Sequence, residues 1–213
     1  APAQKNELKP WLVKSWCVAK PSARFVAKME DVLDVYERPY DSRRPVVCVD
    51  ESNKTLHNTP HGSLPVEPGQ AQRQDYEYKR NGVRNLFLFF SPLASWRHVK
   101  VTEQRAHEDW AYCMKDLVDV HFPQATRIRV IQDNLNTHNP AFLYEVFEPA
   151  EAKRILDKLE FHYTPKHGSW LNMAECEFSV LSRQCLARRL PDMKTVSKEI
   201  TAWVDDRNQN TEP

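Results

Sequence analysis

The sequence predicts an α/β fold, a mixed five-stranded sheet flanked by helices, and three observations carry that prediction. Two short β-branched runs, Pro45-Val-Val-Cys-Val-Asp50 and Ile128-Arg-Val-Ile-Gln-Asp133, stop on an aspartate and read as buried strands. Segments 75–90 and 96–101 read as antiparallel strands. Between and after these runs lie stretches whose apolar residues recur with helical period.

Residues 1–23 are mixed and Pro-punctuated, with Trp11 and Trp16 as their large anchors, and read as a linker or a packed arm. Over 24–37, Phe25, Met29, Val32, Leu33 and Tyr36 fall at helical spacing. Pro39 and Pro45 then lead into the strand 46–50. Residues 52–72, with Pro60, Pro65 and Pro68, have no period and read as a long loop of the kind that often carries function. Asn81-Gly82 suits the two φ > 0 positions of a type I′ hairpin turn within 75–90. A helix over 103–121 presents Trp110, Met114, Leu117 and Val118. The Asp133 strand covers 126–132, followed by helices at 140–147, opened by Pro140, and at 149–158. A strand at 159–163, a helix from Trp170 to Arg189 and a last helix over 193–207 complete the chain. This order of strands and helices is the ribonuclease H-like arrangement, with 1–40 as arm and helix and 41–213 as the main domain.

At 213 residues and 41% hydrophobic, the chain is long enough to bury a full core. No apolar run approaches the roughly 18 residues of a membrane span. The N-terminus lacks an initiator Met, which reads as a piece of something longer. Five scattered cysteines without a C-x-x-C pair read as reduced thiols of a cytoplasmic protein. The net charge of +1 neither demands nor excludes a nucleic-acid partner, since acids gathered in a site mask basic residues elsewhere.

Asp50 and Asp133 each stand at a strand end, where open α/β sheets place their chemistry. A third acid on the 170–189 helix would complete a carboxylate cluster for metal. Leu171, Ala174, Phe178, Leu181 and Cys185 form the core face of that helix. Glu175 borders it beside Asn172, Ser179 and Ser182; Glu177 lies roughly 160° away, toward Gln184 and Arg188. One helix cannot aim both at one metal pair, and the small polar neighbours favour Glu175, with Glu177 as the alternative. Glu51 leaves its strand opposite Asp50 and reads as structural or as an outer group of the site. Asn134, Asn136 and His138 are either turn residues capping the next helix or groups that orient metal ligands or touch phosphate.

Three blocks, Val-Cys-Val-Asp50-Glu51, Gln-Asp133-Asn134-Leu-Asn-Thr-His138 and His167-Gly-Ser-Trp-Leu-Asn172-Met-Ala-Glu175, resemble the signature blocks of IS630-type transposases of the Tc1/mariner superfamily. The resemblance spans about residues 40–190. It implies a ribonuclease H-like DDE catalytic domain, with Asp50, Asp133 and Glu175 as catalytic and metal-binding acids and Asn134, Asn136, His138 and Asn172 in support. It implies two Mg²⁺ (or Mn²⁺) ions per site, about 4 Å apart, Asp50 bridging them and the other two acids holding one each. Water attack would free a DNA 3′-OH, which then attacks target DNA at a TA dinucleotide. The partners implied are double-stranded DNA and further copies of the chain, a homodimer or larger, in a bacterial cytoplasm without membrane attachment.

Two departures qualify the resemblance. The 41 residues between Asp133 and Glu175 exceed the superfamily's usual interval, a surplus expected in the helices at 140–158. No counterpart of the family's helix-turn-helix region is seen, as for a catalytic domain cut from a longer protein. Lys166 and His167, just before the Glu175 helix, and Arg183 along it are the candidate DNA contacts. Arg183 with Arg188 and Arg189 otherwise reads as a solvated face, and Trp170 as core. A zinc site from Cys176, Cys185 and His167 is disfavoured by the spacing of the two cysteines on one helix. The competing functions are another two-metal ribonuclease H-like nuclease and a domesticated, non-catalytic DNA-binding domain.

Overall fold

Alternation along the strands sorts the core into two layers, one on each side of the sheet. The computed structural model describes residues 22–71, 73–104, 106–135 and 138–210; Trp11, Trp16, Cys17 and Asn136 lie outside these. Val46, Cys48, Leu86, Leu88, Val99 and Ile131 pack on one side with helices α1 (Ala23–Glu37), α5 (Met173–Leu181) and α6 (Met193–Asn210). Val47, Val49, Phe87, Phe89, Ile128 and Val130 pack on the other with α2 (His107–Asp116), α3 (Phe142–Val146) and α4 (Pro149–Asp157).

The sheet has the strand order β5 (Trp96–Thr102), β4 (Lys79–Ser91), β1 (Val46–Asn58), β6 (Ile128–Gln132), β7 (Leu159–Tyr163). β1 pairs antiparallel with β4, and β4 with β5, whereas β1–β6 and β6–β7 run parallel. This is the mixed sheet expected of a ribonuclease H-like fold. A small pair, β2 (Ser63–Leu64) with β3 (Arg73–Gln74), decorates the tip between β1 and β4.

Two expectations about this hairpin are corrected. The strand predicted over 46–50 runs on to Asn58, so most of 52–58 is paired instead of looped. Pairing with β4 holds its outer half extended (Ser52 opposite Leu86, Lys54 opposite Arg84), and Leu56 alone in that half is buried in the core beside Leu186 and Leu190. Asn81-Gly82 is not a turn. It lies inside β4, where the register slips between Thr55 and His57 and β4 carries one residue more than β1. Gly82, at φ +87, supplies the left-handed residue that such a β-bulge needs. The true turn is 59–78, and Arg189 secures its base by donating to the carbonyls of Asp75, Tyr76 and Glu77.

α1 packs on the same core as the strands through Val32 and Val35, with Met29 and Tyr36 alongside. Leu33, expected in that stripe, is 41% exposed. α2 buries Trp110 and Met114, and a π turn at 117–121 buries Leu117 and Val118, as their spacing predicted. The 170–189 helix begins later than expected: a 3₁₀ turn covers Ser169–Leu171, α5 starts at Met173, and a π turn carries it to Leu186. Trp170, assigned to the core, stands 63% exposed, because the 3₁₀ turn rotates it off the helical face that buries Leu171. No described helix is long and apolar enough to cross a membrane.

Candidate active site

Strand register sets the two aspartates on neighbouring strands. β1 and β6 run parallel with Cys48 opposite Ile131, and two residues further along each chain stand Asp50 and Asp133. Cys48 faces the α1–α5–α6 layer, so Asp50, two residues on in the same strand, leaves toward α5, while Asp133 directly follows the last residue of β6.

Asn172 fixes the start of α5 against this point. Its side chain accepts from the Ala174 N–H (3.1 Å), capping the helix, while its amide donates to the Val49 carbonyl (2.9 Å), the residue before Asp50. Tyr36 adds a second tie from α1, donating to the Leu171 carbonyl (2.9 Å) and accepting from the Met173 N–H (3.3 Å). Glu175 in the first turn of α5 is thereby held beside the sheet end.

The electrostatics record this convergence. Burial pushes the Asp50 carboxyl up to about 7, and the charges of Asp133, Glu175 and Glu51 push the same way, against a hydrogen bond from the Glu51 N–H (2.8 Å). The acids share one field without closing into a single tight cluster. Among the described residues, the one group of three metal-type ligands whose atoms all lie within 4.8 Å of one another is His61, Asp75 and Glu77, out on the hairpin tip. Oxygen donors from Asp50, Asp133 and Glu175 that share one field fit a pair of hard divalent cations, whose separation alone is about 4 Å.

His138 is buried behind this point. Its Nδ1 lies 2.7 Å from Asp133 Oδ1 and 3.2 Å from the Asp133 carbonyl, and its Nε2 lies 3.4 Å from Glu51 Oε2. Burial works to lower the imidazole pKa, yet its hydrogen bonds to Asp133 and Glu51 and their charges outweigh it and lift it to about 9. The ring lies over Trp110 (centroids 6.1 Å apart), whose indole N–H donates to Gln132 Oε1 (3.2 Å). Glu51 therefore reaches Asp133 through His138 from the other side of the strand, consistent with an outer group.

Glu177 takes no part. It is buried (5% exposed) and faces Arg97 Nε at 2.8 Å and Arg207 at 3.5 Å. Its partners are thus these two, instead of the surface neighbours Gln184 and Arg188 that helical spacing suggested; Gln184 accepts from Trp203, and Arg188 pairs with Glu199.

Of the candidate DNA contacts, Lys166 and His167 share a cavity of about 310 Å³ with Asn134. His167 has φ +65, and Gly168 packs so closely on Pro165 that a Cβ there would meet Cγ at 2.6 Å, so the tight turn displays both side chains outward. Arg183 stands apart, lining a separate cavity with Ser52 and Lys54 beyond Asp50 on β1. Arg24 and Lys28 also line the Lys166–His167 cavity, and sequence reasoning missed them. Their i,i+4 spacing on one face of α1 was the available signal.

The model of the family described as DDE superfamily endonuclease matches residues 45–197. Among solved structures, the chain is similar to the Mos1 transposase paired-end complex with the left transposon end (16% identity, TM-score 0.60), covering 98% of this chain and 61% of that one. It is also similar to the catalytic domain of Mos1 mariner transposase (14% identity, TM-score 0.59), covering 94% of this chain and 87% of that one. The Mos1 mariner paired end complex with Mn matches at 15% identity and TM-score 0.58, with 94% and 60% covered. The chain thus spans about three-fifths of the longer transposase chains that it matches. No protein of curated function matches the sequence. The chain belongs to the DDE superfamily endonucleases, and its fold is similar to that of the Mos1 mariner transposase catalytic domain.

Proposed function

We propose that the chain is the catalytic domain of an IS630-type transposase, cutting DNA at transposon ends and joining the freed 3′-OH to target DNA at TA. The observation that carries this reading is the Asn172 clamp, which joins the carbonyl before Asp50 to the cap of the helix bearing Glu175. Asp50, Asp133 and Glu175 would hold two Mg²⁺ or Mn²⁺ ions, which when bound supply Lewis-acid activation of an attacking oxygen and neutralise charge on the departing 3′ oxygen.

The protein's own groups do the rest. His138, tied to both the carboxylate and the carbonyl of Asp133, holds that side chain in one orientation. Buried Glu51 supports the imidazole from behind. Lys166 offers a cation and His167 a ring N–H to the DNA backbone, and Arg183, beside Ser52 and Lys54 of β1, offers another cation. Double-stranded DNA is the partner, engaged by two or more copies of the chain in the bacterial cytoplasm. The similar Mos1 structures, paired-end complexes including ones with Mn and with Mg, lend support.

Incubating the chain with Mn²⁺ and a duplex bearing a pre-cleaved 3′-OH end tests the reading. Joining to target DNA that Asp133→Asn abolishes, with folding intact by circular dichroism, is the expected result. Nicking without joining would favour the alternative of another two-metal ribonuclease H-like nuclease, and joining by Asp133→Asn would refute the assignment.

A further inference from the structure

We infer that the N-terminal helix α1 is part of the DNA-binding surface: Arg24 and Lys28, with Lys166 and His167, form a cleft that takes a backbone phosphate of the strand being cut. This rests on the reading of the chain as a DNA-cutting domain, and it adds to the surface a helix otherwise assigned to an arm. Two segments far apart in sequence, α1 and the turn 165–168, meet at the cleft. Each brings two groups that are cationic or can become so, and no carboxylate lines the cavity between them.

Convergence of like charges costs free energy unless a counter-charge fills the space. Among the described residues, none of Arg24, Lys28, Lys166 and His167 pairs with a carboxylate. Asp31, one turn along α1 from Lys28, is turned toward His162 (2.9 Å). Half-buried Lys28 instead sets its ammonium 5.7 Å over the Tyr163 ring, a contact that brings no counter-charge, and lines the cleft. The first turn of α1 holds no acid, so the positive end of that helix adds to the field.

Position identifies the anion. Asn134, which lines the same cavity, directly follows Asp133, so an occupant sits next to the candidate metal-binding acids. A DNA strand lying at Asp133 presents its next phosphates to this wall. A 310 Å³ cleft open to solvent suits phosphate oxygens donated to by Arg and Lys.

Binding of a fluorescein-labelled duplex in EDTA, followed by anisotropy across a salt series, reads the cleft independently of the metal acids. The double variant Arg24→Ala/Lys28→Ala is expected to bind more weakly and to lose about 1 to 2 from the slope of log affinity against log salt, at about 0.9 per phosphate contact removed. Lys166→Ala, on the opposite wall, is expected to lose about 0.9. Circular dichroism and melting check that each variant is folded, and either wall alone suffices for the test. A wild-type slope in Arg24→Ala/Lys28→Ala would overturn the inference while leaving the cutting function standing, and a wild-type chain that binds no duplex would overturn both. Calorimetry with inorganic phosphate at constant ionic strength separates a backbone site from a free-anion site. Weak phosphate heats beside tight duplex binding are expected. Saturable phosphate binding that the double variant abolishes without loss of duplex affinity would overturn the assignment to DNA.

Discussion

Glu51 leaves β1 on the side opposite Asp50, yet the His138 ring ties it to Asp133, so one buried imidazolium answers two acids. Groups that orient metal ligands in this way typically change metal affinity 10- to 100-fold when removed. Glu51→Gln and His138→Ala are therefore expected to weaken Mn²⁺ binding by about that factor in calorimetry, and unchanged affinity in both would show that the contact only packs. The same residues govern pH response without metal. Asp50 titrates near 3.8 unfolded and about 7 folded, so between these values the folded chain holds more protons and stability falls as pH rises. His138, near 6.5 unfolded and about 9 folded, stabilises fully below 6.5, and that stabilisation is lost as pH climbs through 9. Melting of the metal-free chain should drop from pH 5 to pH 9, and Asp50→Asn should remove the part of the fall below pH 7. A flat profile would contradict both assignments.

At the scale of elements, α5 carries two glutamates with opposite duties. Glu175 sits in the first turn, whereas Glu177 locks the helix to β5 and α6 through Arg97 and Arg207. Removing one partner of a buried pair strands the other, so Glu177→Ala should cost about 3–5 kcal/mol in denaturant unfolding yet leave Mn²⁺ affinity near wild type. Glu175→Gln should show the reverse, and a loss of metal binding in Glu177→Ala alone would invert the assignment. Asn172→Ala removes a cap and orphans the Val49 carbonyl, for an expected loss of about 1–3 kcal/mol together with weaker metal binding. The core faces of α2 and α5 were legible because each apolar residue sat at helical period. The bulge at Gly82 was not, since Asn-Gly serves a turn and a left-handed bulge equally well and only the partner strand decides. The outer end of β1 was likewise hidden, because amid its polar residues only Leu56 is buried and cross-strand pairing with β4 makes it a strand.

For the whole molecule, the sequence blocks around Asp50, Asp133 and Glu175 proposed one site, and parallel register with the Asn172 clamp brings these residues, far apart in sequence, within one field. The spacing of Arg24 and Lys28 was legible but their cleft was not, because it exists only where α1 meets the turn at 165–168. Glu177's buried pairing was equally unreadable, since its partners come from β5 and α6. The fold offers two places for a divalent ion, the sheet-end acids and the exposed His61–Asp75–Glu77 group on the hairpin tip. A crystal soaked in Mn²⁺ and measured at the manganese absorption edge decides between them. Anomalous peaks enclosed by Asp50, Asp133 and Glu175 are the predicted result, and peaks confined to His61, Asp75 and Glu77 would contradict the assignment of the active site.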